Sequence, residues 1–209
     1  MAEKNIENND NYIKLIKSAK REFLEKGFAG ASLRNIAADA GMTTGAVYFF
    51  FKDKNGLFEG VVGGALKNLT DALQSHFTGD MAHDFLNYKQ QDGDHDEFAK
   101  ELVDIIYDNY DEMSILLHGA AGSKYENIVD DIINRMNTVY IKMAESFAGG
   151  MPGKRVNEKM LHWLCHVQVG GFMHMIEHEH DKESAMKFIR PVMDLLVKAW
   201  ISYALENDD

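Results

Sequence analysis

Few residues in this chain have the type and spacing for chemistry. His162, His166, His174 and His178 fall in steps of four, with Gly170 in the missing slot. Neutral imidazoles at i and i+4 of a helix can share one metal ion. The two pairs lie two turns apart, however, and a residue advances about 40° around the helix at each step of four. The stripe therefore reads as histidines lining a pocket or a subunit seam, with metal or haem sensing as the alternative. Asp92, Asp94 and Asp96 imitate the start of an EF-hand loop, but Glu97 takes the place of its glycine and Val103 that of its closing glutamate. Cys165 sits in the middle of an apolar helical stretch, where a buried structural thiol is expected rather than a nucleophile. There is no G-x-S-x-G elbow, no phosphate-cradling glycine loop and no H-E-x-x-H. No enzyme, cofactor or metal site is expected.

The elements that would position functional residues are helices. Only Pro152 and Pro191 occur in 209 residues, and ten of the 12 methionines follow residue 80. Long helices exclude proline, and methionine both favours helix and fills irregular cores. The single cysteine excludes an internal disulfide framework. The stretch Met160 to Ile176, free of Asp, Glu, Lys and Arg, is too short and too polar to span a bilayer, and the polar MAEKNIENND start lacks a signal pattern. An all-α, cytoplasmic protein without a membrane partner is expected. The net charge of −11 is unevenly spread: residues 1–67 carry +2 and residues 68–209 carry −13. So acidic a chain repels nucleic acid, unless its near-neutral first third is the part that meets it.

That first third reads as four helices. The first, from about Asp10 to Lys26, steps Tyr12, Ile16, Ala19 and Phe23 along one face, turns Lys14, Lys17, Lys20 and Arg21 outward, and has Gly27 to end it in the left-handed conformation. Ser32 caps a short helix from Leu33 to Ala40, and Thr43 caps another from Thr44 to about Phe50. Asp53 opens a fourth, reaching about His76, with Gly56, Gly60, Gly63 and Gly64 in its first turns. Ala37, Gly41 and Val47 carry the steric demand of a helix-turn-helix: a small residue where two helices touch, a glycine for the turn and an apolar plug. Phe49, Phe50 and Phe51 point about 100° apart, so a short helix cannot bury all three.

Residues 32–51, SLRNIAADAGMTTGAVYFFF, followed by KDKNGLF and preceded by AKREFLEKGFAGA, resemble the DNA-binding head of TetR/AcrR-family transcriptional regulators. Phe50 stands where that family usually has His or Tyr, and Asn55-Gly56 replace a Glu-Glu-like pair. The resemblance implies a three-helix helix-turn-helix DNA-binding domain over 9–69 and a helical effector-binding, dimerising domain over 70–209. It implies a homodimer bound to a palindromic double-stranded DNA operator and released by a small-molecule effector. Ser32, Arg34, Thr43, Thr44, Gly45, Tyr48, Phe49 and Lys54 are the candidate DNA contacts. Lys54 opposes the helix dipole in the first turn of its helix, so a phosphate partner is expected for it. Tyr107, Tyr110, Met113, His118, Tyr140, Trp163, His166 and Met173 are the candidate effector pocket.

The rest of the chain divides into a polar link over 78–96, one helix from Glu97 to about His118, another from about Tyr125 to Phe147 closed by Gly149-Gly150-Met151-Pro152-Gly153, and two more over Asn157–His178 and Ser184–Leu205. Trp163, Val167, Val169, Phe172, Ile189, Val192, Leu196 and Trp200 give the last two more apolar surface than one small bundle needs, which makes them the expected dimer seam.

Overall fold

The computed structural model describes residues 2–80 and 94–208, with side chains over residues 10–76 and 97–208. Among the described residues it contains nine helices: α1 (Ala2–Gly30), α2 (Leu33–Asp39), α3 (Thr44–Phe51), α4 (Lys54–Asp80), α5 (Asp94–Asp108), α6 (Tyr110–His118), α7 (Ile128–Ala148), α8 (Glu158–His178) and α9 (Lys182–Tyr203). One short antiparallel ladder, β1 (Lys154–Val156) with β2 (Leu205–Asn207), pairs Arg155 with Glu206. Three residues a side gave no alternation to read in the sequence. The protein is all-α apart from this ladder, and its chain falls into two compact units. One comprises the residues up to Asn68 together with Asn109–Ile128, and the other Leu69–Asp108 with Val129–Asp209.

In the first unit α1 buries Leu15, Ser18, Ala19 and Phe23, whereas Tyr12 stays partly exposed. The apolar stripe is therefore rotated from the Tyr12–Ile16 phase expected, because Ser18 is drawn inward to donate its hydroxyl to Ile36 O at 2.8 Å. Gly27 breaks the helix, at φ 64° and ψ 176°. This is not the left-handed helical cap foreseen but an extended region open essentially to glycine alone. A further turn, Phe28 to Gly30, follows it. The break lets the Phe28 N–H donate to Gly119 O at 2.6 Å and brings the Phe28 ring to 5.3 Å from Phe58, which in turn lies 5.0 Å from Phe23. Lys20 reaches Asp111 and Glu112, both at 3.0 Å. Lys124 reaches Glu59 at 2.6 Å, and the Lys124 N–H donates to the Asn55 side chain at 2.9 Å. Residues 109–128, distant in sequence, are thus part of this unit's core, with Met113, Ile115 and Leu116 buried.

The helix expected over Glu97–His118 is two helices, broken at Asn109 (φ −129°, ψ 38°). Asp92 lies outside the described residues, and Asp94 and Asp96 fall in the first turn of α5, so no calcium-loop backbone forms on them. In the second unit Lys182 binds Asp104 at 2.9 Å and Asp108 at 2.8 Å, and the Tyr107 hydroxyl donates to Glu179 O at 3.0 Å. Asn157 and Asp181 cap α8 and α9 by accepting from Met160 N and Ser184 N. Pro191 sits inside α9, exposed, without ending it.

The glycines of α4 separate by what a methyl group would meet. A Cβ at Gly56 would lie 2.0 Å from Phe51 O, and one at Gly60 would lie 2.9 Å from Ile16 Cδ1 and 3.0 Å from the Phe51 ring. At Gly64 nothing stands within 4 Å. Gly64→Ala should therefore keep or raise stability, by up to about 1 kcal/mol, whereas Gly27→Ala should cost about 1–3 kcal/mol through its backbone conformation. Urea unfolding of the two variants checks this; equal shifts would show that the Gly27 break is not a constraint.

Candidate nucleic-acid interface

Two short helices and the turn between them position the candidate contacts. Ser32 accepts from Asn35 N at 3.4 Å to cap α2, and its own N–H donates to Glu22 Oε1 at 3.1 Å. Glu22 therefore fixes the start of α2 from α1; its signal in the sequence was no more than a carboxylate ten residues before a cap. Gly41 takes the positive φ of 72° that the turn demands. Ile36, Ala37 and Val47 are buried to within 1%. With the plug in place the opposite side of α3 has to face outward.

Tyr48 is 55% exposed and Phe49 74% exposed, while Phe51 is buried at 6% and stacks on Tyr12 at 4.9 Å. Of the three consecutive phenylalanines one thus joins the core, Phe50 is half-buried edge-on to Phe49 at 5.0 Å, and Phe49 is left to solvent. Thr43 and Gly45 are exposed and Thr44 partly so. Thr43 holds the N-cap position of α3, but its side chain makes no cap hydrogen bond, contrary to the cap expected. The Ala46 N–H donates to Thr43 O at 3.0 Å, which leaves the Thr44 and Gly45 amides and the Thr43 hydroxyl at the open end of α3, the arrangement that suits a phosphate oxygen.

The cations differ from the sequence reading. The Lys54 ammonium donates to Ala29 O at 3.4 Å and lies 4.7 Å over the Phe28 ring. Burial pulls its pKa below the ordinary lysine value, against the pull of Glu22. The unfavourable place of a cation at the start of α4 is thus eased within the protein by a carbonyl and a ring face. Arg21 pairs with Asp39, and Lys26 with Glu22 at 3.1 Å. Arg34, at the start of α2, and Lys52, just after α3, are exposed and have no ion-pair partner among the described residues. Lys52, which the motif reading passed over, closes α3 at φ 68°, an unusual conformation for a side-chain-bearing residue that turns the chain sharply into α4.

The eight candidate pocket residues do not share one environment. Tyr110, Met113 and His118 belong to the first unit. Tyr107 is held by backbone carbonyls of α8 and the following turn. Trp163 is 58% exposed and His166 is exposed, because α8 turns Leu161, Leu164, Cys165 and Gln168 inward instead. Tyr140 donates to Gln168 Oε1 at 2.6 Å beside the buried Ile133, Met136 and Cys165. Burial pushes the Cys165 thiol up to about 12, which makes it inert as a nucleophile. No described helix is long and apolar enough to cross a membrane.

Comparison with known proteins gives this geometry a family. Residues 15–61 match the family described as bacterial regulatory proteins, tetR family. The HTH-type transcriptional repressor BepR of Brucella suis is 41% identical over 51 residues, which is 24% of this chain and 24% of the repressor, so the match spans about a quarter of that relative's length. A transcriptional regulator of the same family from Aquifex aeolicus superposes with a TM-score of 0.59 at 19% identity, covering 89% of this chain and 99% of that one. NalD of Pseudomonas aeruginosa, the secondary repressor of the MexAB-OprM multidrug efflux pump, superposes with a TM-score of 0.57 at 19% identity, covering 90% and 96%. These relatives are regulators rather than enzymes. Residues 15–61 carry the helix-turn-helix head of the tetR family of bacterial regulatory proteins, and the chain as a whole has the fold of TetR/AcrR regulators.

Proposed function

We propose that the protein is a sequence-specific DNA-binding repressor that acts as a homodimer on a palindromic operator and is released by a small effector. The observation that carries this is the outer face of α3, where Thr44, Gly45, Tyr48 and Phe49 are held outward by the packing of Val47 and Phe51 and make no contribution to the core. A short helix so presented suits a major groove, with its amides and Thr43 toward phosphate and Thr44 and Phe49 toward base edges and thymine methyls. Residues 9–69 serve as the DNA-binding domain, with 109–128 packed into the same unit, and the remainder of 70–209 serves as the effector-binding, dimerising domain. Two heads on a two-fold axis read half-sites one helical turn, or a multiple of it, apart.

The dimer is assigned to the outer faces of α8 and α9. Ile189, Leu196 and Trp200 are already consumed in the protomer's own core, which removes them from the seam expected. Trp163, Leu195 and Tyr203 remain exposed and take their place. Within the effector domain, the Trp200 indole N–H and the Asn137 carbonyl oxygen are buried without hydrogen-bond partners among the described residues. Asn137 lies one turn before Tyr140, and Tyr140 packs 6.2 Å from Trp200. Unsatisfied buried polar atoms are costly, and an effector carrying both an acceptor and a donor would satisfy them.

Gel-shift titration on the operator at several salt concentrations tests the DNA reading. Arg34→Ala and Lys52→Ala should each weaken binding to all sequences and reduce the salt slope by about one. Thr44→Ala should mainly relax sequence preference, and Lys54→Ala should change the slope least because its ammonium is engaged internally. A slope unchanged in both Arg34→Ala and Lys52→Ala would place the DNA elsewhere. For the seam, Leu195→Asp should leave the helical content intact and convert the dimer to a monomer in light scattering. A Leu195→Asp protein that stays dimeric would reject α9 as the interface.

A further inference from the structure

We propose that His162 and His166 form a binding site for a divalent transition-metal ion of the zinc, nickel or copper class, on the exposed face of α8 beside Trp163 and outside the DNA-binding head. Both side chains are exposed on α8, one turn apart, and their Nε2 atoms lie 3.2 Å from each other with the rings nearly perpendicular, at 81°. Two nitrogens each about 2.0–2.1 Å from one tetrahedral ion are separated by about 3.3 Å. The pair therefore already has the nitrogen separation of one edge of a zinc tetrahedron. A rigid helical turn supplies that separation in advance, which lowers the ordering cost of chelation.

Without an ion, the same distance can be held by one ring donating to the other. Only one of the two imidazoles can then keep its Nε2 as an acceptor, whereas a bound ion satisfies both lone pairs. No third His, Cys, Asp or Glu completes a set among the described residues. The ion accordingly keeps open positions for water or an added ligand, so an exchangeable site results rather than a closed structural one. The second pair behaves differently. His174 and His178 stand 4.2 Å apart by ring centroid, tilted at 48°, and His174 also packs against Phe188 at 5.1 Å. Stacking of this kind directs the rings at each other and at an apolar neighbour, so this pair is not assigned a metal.

The experiment is calorimetric titration of the full chain with Zn²⁺ and, separately, Ni²⁺, in a non-chelating buffer. One ion per chain with micromolar affinity is expected, together with a rise in Tm that grows with metal concentration. His162→Ala and His166→Ala should each weaken binding at least tenfold and abolish the Tm rise, with unchanged circular dichroism, since neither side chain is in the core. His174→Ala should leave both unchanged. Nitrogen couplings from two imidazoles in the Cu²⁺-loaded spectrum, reduced to one in His166→Ala, give an independent reading of the ligands. Binding that survives both single variants, or that is absent below millimolar metal, overturns the site. Operator binding is read separately, so failure here leaves the repressor proposal standing.

Discussion

Two backbones touch at Gly27 and Gly119, and the head is organised around that contact. A Cβ on Gly27 would meet Gly119 O at 3.3 Å, and Gly119 has the Gly27 Cα 3.4 Å from where its own Cβ would be. The Phe28 N–H can then reach Gly119 O, satisfying an amide freed by the break in α1. From this crossing follow the turn of Phe28 into the Phe23–Phe58 cluster and the ring face on which Lys54 rests. Lys54, so held, begins α4, whose Gly56 and Gly60 admit Phe51 and Ile16 at close range. Phe51 is the last residue of α3, so the exposure of Tyr48 and Phe49 depends on a contact made by residues 27 and 119.

In an acidic chain proposed to bind DNA, the placement of the few positive charges decides what the head can meet. Four head cations are committed to carboxylates: Lys20 to two, Arg21 to Asp39, Lys26 to Glu22 and Lys124 to Glu59. Exposed pairs such as these contribute little stability individually, about 0–1 kcal/mol. Their larger effect is to mask charge that would attract any polyanion. What remains near α3 is Arg34 and Lys52, one beside each end of the helix-turn-helix. Such sparse, flanking charge favours specific contact over indiscriminate adhesion, because nonspecific affinity scales with the number of phosphates neutralised.

How far the sequence could be read depended on whether a constraint was local. Ala37, Gly41 and Val47 each answer a steric need set within ten residues, and all three sit where that need placed them. The same holds for the cap at Ser32, which is chemistry of a single turn. In α1 Ala19 and Phe23 of the expected stripe are buried, but Ser18 is drawn in by a carbonyl 18 residues away, and the carbonyl that Lys54 reaches lies 25 residues upstream of it. Asn109 is a weak breaker by propensity, and α5 and α6 part there because their two segments belong to different units. The pocket residues were chosen by type alone, and residue type cannot tell which side of α8 Trp163 or His166 will take.

The chain is not divided at a single link. A head made only of the first residues would be joined to the rest by one link. Here the chain passes between units three times: within α4 after Asn68, between Asp108 and Asn109, and after Ile128. The first crossing runs through continuous helix, a few residues beyond Gly63 and Gly64, neither of which is wedged against backbone or core. Glycine inside a helix lowers the cost of bending by leaving the backbone freer, about 0.5–1 kcal/mol relative to alanine. The other two crossings bracket α6, which is fastened to α1 by Lys20 and to the Gly27 break by Gly119. Residues 110–118 are thereby held to the same Gly27 contact that sets Phe28 and, through its ring, Lys54.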